Sequence, residues 1–216
     1  MEQTILITGQ NKLLKEPLTD TFRKGGYHVT TTYTEKNEAK KKDVHAIPWN
    51  MRSPLSAKNV LLTAASTTGS LAEIIILFPW TQIIKPLHET SSAEIEWAVD
   101  IQLKSSLFII KESMHHLQKQ GTGTLSLVYY VPGVEILPPL DALGSGGFTG
   151  LVKSLFAFYQ NEKISINGYL SSTTETGDYA EYIFKTIDER PKPVHGKFYK
   201  YSDKTVLSAL GLSIKR

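Results

Sequence analysis

Short apolar runs alternate with helix-length segments along most of the chain. Residues 4–8 predict a first strand. Residues 12–24 follow as a helix, with Leu13, Leu14, Leu18 and Phe22 on one apolar stripe, and Gly25-Gly26 ends it. Pro17 fits that helix only within its first turn, where no backbone donor is needed. Further strands are expected over 27–33, 44–47, 59–65, 124–130, 164–170 and 196–201, several rich in β-branched residues. Helices are expected over 91–120 in two pieces, over 147–160 and over 179–188. The segment 48–58 is too short for a full helix. The apolar stretch 73–80, Glu-Ile-Ile-Ile-Leu-Phe-Pro-Trp, falls in a connection and is expected to pack against the core, with a short strand, a cleft cover and a contact surface as the alternatives.

Alternating strands and helices predict a mostly parallel sheet with helices on both faces. With right-handed crossovers this is an α/β doubly wound fold, a single domain over 1–216. No internal repeat, low-complexity tract or linker divides it. Ligands of such folds bind beyond the carboxyl ends of the strands, near the switch in strand order. Those ends are expected at Thr8-Gly9, 63–66, 129–133 and 170–172.

Composition narrows the partners. Lysine and arginine number 24 against 21 acidic residues, a net charge of +3, which builds no nucleic-acid surface. The basic run 39–43 has Glu35 and Glu38 beside it and reads as a solvated loop. Cysteine is absent, which excludes disulfides, thiolate catalysis and zinc-thiolate sites. The start Met-Glu-Gln-Thr lacks the features of a signal peptide, and the strongest apolar run is too short to span a bilayer. A cytoplasmic protein with neither nucleic-acid nor membrane partner is expected.

Several stretches carry a resemblance. Thr8-Gly9 with Gly26-Tyr27-His28-Val29, then 60–66, 99–103, 121–130 and 150–155, together resemble the short-chain dehydrogenase/reductase family to about residue 203. The resemblance implies a Rossmann-like fold that binds NAD(P). It places the cofactor near Thr8, Gly9, Gln10, Asn11, Leu13, Tyr33, Thr63, Ala64 and Ala65. Of the family's Thr-Gly-x-x-x-Gly-x-Gly motif only Thr8 and Gly9 remain, with Leu13 and Lys15 at the later glycines. Those glycines let the backbone approach a pyrophosphate at a helix N-terminus. Tyr33 and Thr34 stand where an acidic ribose ligand is expected, and Thr63-Ala64-Ala65-Ser66 lacks the family's asparagines. NAD(P) binding is therefore expected to be weakened or lost.

The resemblance also locates the catalytic set. Its asparagine position is Gln102, its serine position Tyr130 (Tyr129 with a one-residue shift), its tyrosine position Asp141 and its lysine position Ser145. That chemistry needs a tyrosine of lowered pKa to exchange a proton with a carbonyl oxygen. None of the four residue types is retained. The one Tyr-x-x-x-Lys, Tyr159 to Lys163, falls near a helix end, away from the predicted site.

Other groupings read as structural. His115 and His116 are helix neighbours pointing about 100° apart, which suits no common metal, and no metal site is expected. Residues 144–147, Gly-Ser-Gly-Gly, read as a flexible helix entry or, alternatively, an anion cradle. Asp141 and Glu135 lie in the same predicted loop. Of Tyr129 and Tyr130, alternation sends one to each face, where the outer one either packs or lines the cleft.

Two functions follow. One is a degenerate family member without ordinary hydride transfer, acting as a binding, scaffold or regulatory subunit. The resemblance implies a homodimer or homo-oligomer through helices near 96–119 and 147–160, or a heteromer with an active relative. The other is an NAD(P)H-dependent oxidoreductase, or a non-redox enzyme, with altered catalytic residues such as Asp141, Tyr129 or Tyr130.

Overall fold

The computed structural model describes residues 3–34, 44–133, 136–190 and 194–202. The basic run at 39–43, Glu35, Lys36, Glu38 and Glu135 lie outside them. Seven parallel strands form one sheet: β1 (Thr4–Gly9), β2 (His28–Tyr33), β3 (His45–Pro48), β4 (Glu73–Leu77), β5 (Thr124–Tyr130), β6 (Ser165–Ser171) and β7 (Phe198–Tyr201). Their order is β3-β2-β1-β4-β5-β6-β7, so the direction of winding switches between β1 and β4. The expected α/β doubly wound, Rossmann-like fold is the one observed.

The helices are α1 (Lys12–Lys24), α2 (Pro54–Thr68), α3 (Ser92–Ala98), α4 (Ser105–Gln120), α5 (Pro139–Phe158) and α6 (Thr176–Asp188). A π-helical segment, Val99–Lys104, joins α3 to α4. One core layer packs the side chains of α1 and α6, including Leu14, Leu18, Phe22 and Ile183, on Ile5, Ile7, Ile75 and Leu77. The other packs α2, α4 and α5 on Leu6, Ile74, Ile76 and Leu127. Central strands buried on both faces explain their unbroken apolar runs.

Three sequence expectations change. Residues 59–65 are not a strand but the middle of α2. Ala57, Val60, Leu61 and Ala64 are all buried at helical spacing. Ser53 caps the first turn by accepting from Ser56 N, Pro54 opens it, and Gly69 ends it at φ 81°. The segment 48–58 therefore leads into a full helix. Second, Glu73–Leu77 is no connection but a central strand, paired with both β1 and β5. Third, α5 begins at Pro139, so Gly144 to Gly147 lie inside a helix and form neither a loop nor an anion cradle. Gly144 is required there, since a Cβ would sit 2.8 Å from the Gln102 side chain.

Pro17 lies beyond the first turn of α1, contrary to expectation. It leaves the Leu13 carbonyl without its helical donor. Among the described residues no helix is long and apolar enough to cross a membrane.

Candidate functional site

The switch in strand order opens a cleft of about 1420 Å3 at the carboxyl ends of β1, β2, β3 and β4. Gln10 and Leu13 reach it from the turn after β1, and Tyr33 and Thr34 from β2. Trp49, Asn50 and Arg52 follow β3, and Trp80, Thr81 and Gln82 follow β4. Asn59, Leu62 and Thr63 face it from α2, and Trp97 from α3.

The turn after β1 keeps its shape. Gly9 has φ 112°, and Gln10 N donates to Leu77 O at 3.2 Å. Thr8 is fully buried, its hydroxyl 3.0 Å from that of Thr32. Asn11, 1% exposed, closes the N-terminus of α1. Its Oδ1 accepts from Leu14 N at 3.3 Å while its Nδ2 donates to Tyr130 O at 2.6 Å. Lys12 N is turned to Gln10 O, and Lys15 N to Asn11 O. The Lys15 ammonium donates to Thr32 O at 2.8 Å. Leu13, 48% exposed, stands on the cleft wall.

A dinucleotide's diphosphate needs open backbone donors at this helix start. Here acceptors already hold the N–H groups of Lys12, Leu14 and Lys15, and the Leu13 isobutyl group stands on the cleft wall beside them. The residues present do not fit a diphosphate.

Thr63, Ala64 and Ala65 are not at a strand end. Thr63 faces the cleft from α2, Ala64 is in the core, and the Ala65 carbonyl accepts from Gly69 N. The true carboxyl end of β4 is Leu77-Phe78-Pro79-Trp80, which carries no asparagine either.

Of the four positions that resembled a catalytic set, Gln102 bonds to Asp141, Asp141 and Ser145 come together beside Tyr129, and Tyr130 does not join them. Asp141 is fully buried in the first turn of α5. Its Oδ1 accepts from Thr81 N at 2.6 Å and from Gln102 Nε2 at 2.8 Å, and its Oδ2 accepts from the Thr81 hydroxyl at 3.0 Å. The π-helical segment carries Gln102 into this position. Tyr129 donates its phenol to Asp141 O at 3.1 Å. Burial, and then the nearby Asp141 carboxyl, push that phenol well above its ordinary pKa, with Ser145 opposing as a hydrogen-bond partner.

Tyr130 points to the opposite face. It packs on Tyr179 and donates to Thr173 O at 3.0 Å. Of the two, Tyr129 shares the face of Asp141, and neither tyrosine is among the described residues lining the cleft. Tyr159 lies past the end of α5 with Leu151 and Leu155, in a second groove, and is not among the described residues lining the cleft.

Sequence reasoning missed Thr81 and the three tryptophans. Trp49 and Trp80 each follow a strand end, so a correct placement of β4 would have revealed the second. Thr81 is bound to a residue 60 positions away and had no local mark.

Asp141 closes the knot. Asp141→Ala would leave the Thr81 N–H and the Gln102 amide buried without their acceptor. A loss of about 2 kcal/mol in urea unfolding is expected. An unchanged midpoint and slope would show that the knot contributes nothing.

Compared with known proteins, the chain matches no family model and no curated sequence. Solved structures match its fold. An oxidoreductase assigned to the short-chain dehydrogenase/reductase family, from Aeromonas hydrophila, superposes with a TM-score of 0.79 at 15% identity, covering 93% of this chain and 99% of that one. A 3-ketoacyl-(acyl-carrier-protein) reductase from Brucella melitensis, complexed with NADH, gives 0.78 at 14% identity over 92% and 96%. A 3-ketoacyl-ACP reductase from Sinorhizobium meliloti gives 0.77 at 14% identity over 92% and 96%. The fold is that of the short-chain dehydrogenases/reductases.

Proposed function

We propose that this chain is a short-chain dehydrogenase-like protein that binds its ligand without transferring hydride. The carrying observation is the state of Asp141, whose two oxygens are both spent on Thr81 and Gln102. Reduction of a carbonyl needs an acid of suitable pKa facing the reacting oxygen. The nearest phenol, Tyr129, is buried, raised in pKa and committed to Asp141 O. The closed start of α1 supports the same reading, because hydride transfer requires a bound nicotinamide.

The solved neighbours include reductases, one of them complexed with NADH, so the test is direct. Absorbance at 340 nm is followed with NADH or NADPH and a carbonyl panel that includes acetoacetyl thioesters. No turnover is expected, and calorimetry is expected to find neither dinucleotide binding below the millimolar range. Sustained oxidation of either cofactor would sink the proposal in favour of an enzyme with altered residues.

A scaffold or regulatory role is supported by exposed apolar side chains on the outer helices. Leu55 on α2, Leu107 on α4 and Phe158 on α5 are 65%, 49% and 84% exposed. Pairing of this face with a second copy is expected, read as a dimer by sedimentation equilibrium. A strict monomer would leave only a different chain, such as an active relative, as the partner.

A further inference from the structure

Every tryptophan of the chain lines the cleft at the β1–β4 switch: Trp49, Trp80 and Trp97, with Tyr33 beside them. Gln10, Asn50, Asn59 and Gln82 line the same cleft. Among the described lining residues there is no carboxylate. Resting on the reading that the chain binds without transferring hydride, we propose that this cleft takes a nucleoside-like ligand. That ligand is a flat heteroaromatic base with a hydroxyl-bearing arm and no diphosphate.

Three features select this chemistry. Aromatic faces stack bases whatever their identity. Asparagine and glutamine carry a donor and an acceptor side by side, which matches the donor-acceptor edge of a base. A larger saccharide presents many hydroxyl donors and calls for acceptor-only carboxylates, which this wall lacks. The diphosphate is excluded by the start of α1, where Asn11 bridges Leu14 N and Tyr130 O and Leu13 stands on the cleft wall.

The buried knot gives the cleft its wall. Gln82 has φ 60°, the single non-glycine residue at positive φ among the described residues. Such a conformation persists only where its surroundings enforce it. Asp141 enforces it by holding the N–H and hydroxyl of Thr81, and Ile83 N donates to the same hydroxyl at 3.2 Å. Trp80 and Gln82, the neighbours of Thr81, are thereby fixed on the cleft. Asp141 acts here as a positioning residue.

The full chain is titrated with adenosine and guanosine while tryptophan emission is recorded. All emission arises from the cleft, so occupancy is read directly. At least one nucleoside is expected to quench or shift it with a sub-millimolar Kd. By calorimetry, Trp97→Ala is expected to weaken binding about tenfold or more, and Trp97→Phe to retain most of it. Trp97 is 38% exposed, so both variants should keep the fold, which circular dichroism checks. Asp141→Ala, which removes the acceptor of both the Thr81 N–H and the Thr81 hydroxyl, is expected to weaken binding without touching the ligand.

Silence of both nucleosides, or binding of maltotriose in their place, would overturn the ligand class and leave the absence of hydride transfer standing. Unchanged affinity in Trp97→Ala would overturn the stacking site. Sub-millimolar NADH binding would overturn the exclusion of a diphosphate. Turnover at 340 nm, with the nucleosides still binding, would instead overturn the reading on which this inference rests.

Discussion

Replacing Gly9 with alanine is expected to destabilise the fold by more than about 4 kcal/mol, enough to leave little folded protein. Two costs combine at this residue. Its φ of 112° is one that L side chains rarely adopt, and a Cβ would lie 2.0 Å from Leu77 O. That oxygen belongs to the backbone of β4 and accepts from Gln10 N, so it cannot swing aside. Relief requires β1 and β4 to separate, and the two central strands carry both core layers. Gly69→Ala provides the control. It too has a positive φ, 81°, but nothing lies within 4 Å of its Cβ position. Its cost should be the backbone term alone, about 1–2 kcal/mol. Urea unfolding of the two variants separates clash from strain, and equal losses would refute the clash.

Arg190→Met is expected to cost about 3–5 kcal/mol at pH 8. Glu73 begins β4 fully buried, on the face of the sheet that carries Ile75 and Leu77. Arg190 Nη2 lies 2.9 Å from its Oε2, and the Ser126 hydroxyl donates to its Oε1. Burial lifts the Glu73 carboxyl to about 7, although Arg190 and Ser126 act to lower it. A raised carboxyl means that the folded state holds its proton more tightly than the unfolded state, whose value is near 4.5. The stabilising contribution of this proton is therefore complete below about pH 4.5 and is lost as pH rises through about 7.

Without the guanidinium the carboxyl would rise further. At pH 8 the variant must then either take up a proton or bury a bare charge. At pH 5 Glu73 is neutral in the folded protein, so the loss should be smaller. Glu73→Gln combined with Arg190→Met should recover much of it, since no uncompensated charge remains. A loss independent of pH, or strictly additive variants, would show that the pair is not coupled.

The early part of the fold was legible because its cues are local. The apolar stripe of α1 and the Gly25-Gly26 stop lie within 14 residues, and β1 and β2 flank them. The assignment of β4 failed for a physical reason. A short run rich in leucine, valine and alanine is compatible with a buried strand or a buried helix face. Val60, Leu61 and Ala64 read as the first and are the second. The decisive cues were Ser53-Pro54 before them and Gly69 after them, together with the run from Ile74 to Leu77, which holds more β-branched residues. Exchanging the two moved the strand end from Thr63 to Leu77, and with it the wall of the cleft.

The candidate site was half legible. Gln102, Asp141 and Ser145 were placed by resemblance, and the structure bonds Gln102 to Asp141 and sets Asp141 and Ser145 beside Tyr129. Their purpose was not, because it depends on Thr81, which contacts Asp141 across 60 residues.

The sequence by itself determined the alternation of strands and helices and the parallel doubly wound class. These follow from periodicity and residue identity, which are local properties. Tertiary structure alone decided that Thr81, Gln102 and Asp141 tie into a buried knot, that Asn11 reaches the Tyr130 carbonyl, and that three scattered tryptophans line one cleft. Each of those depends on residues distant in the chain being brought together, which only the closed packing of both faces of the sheet achieves.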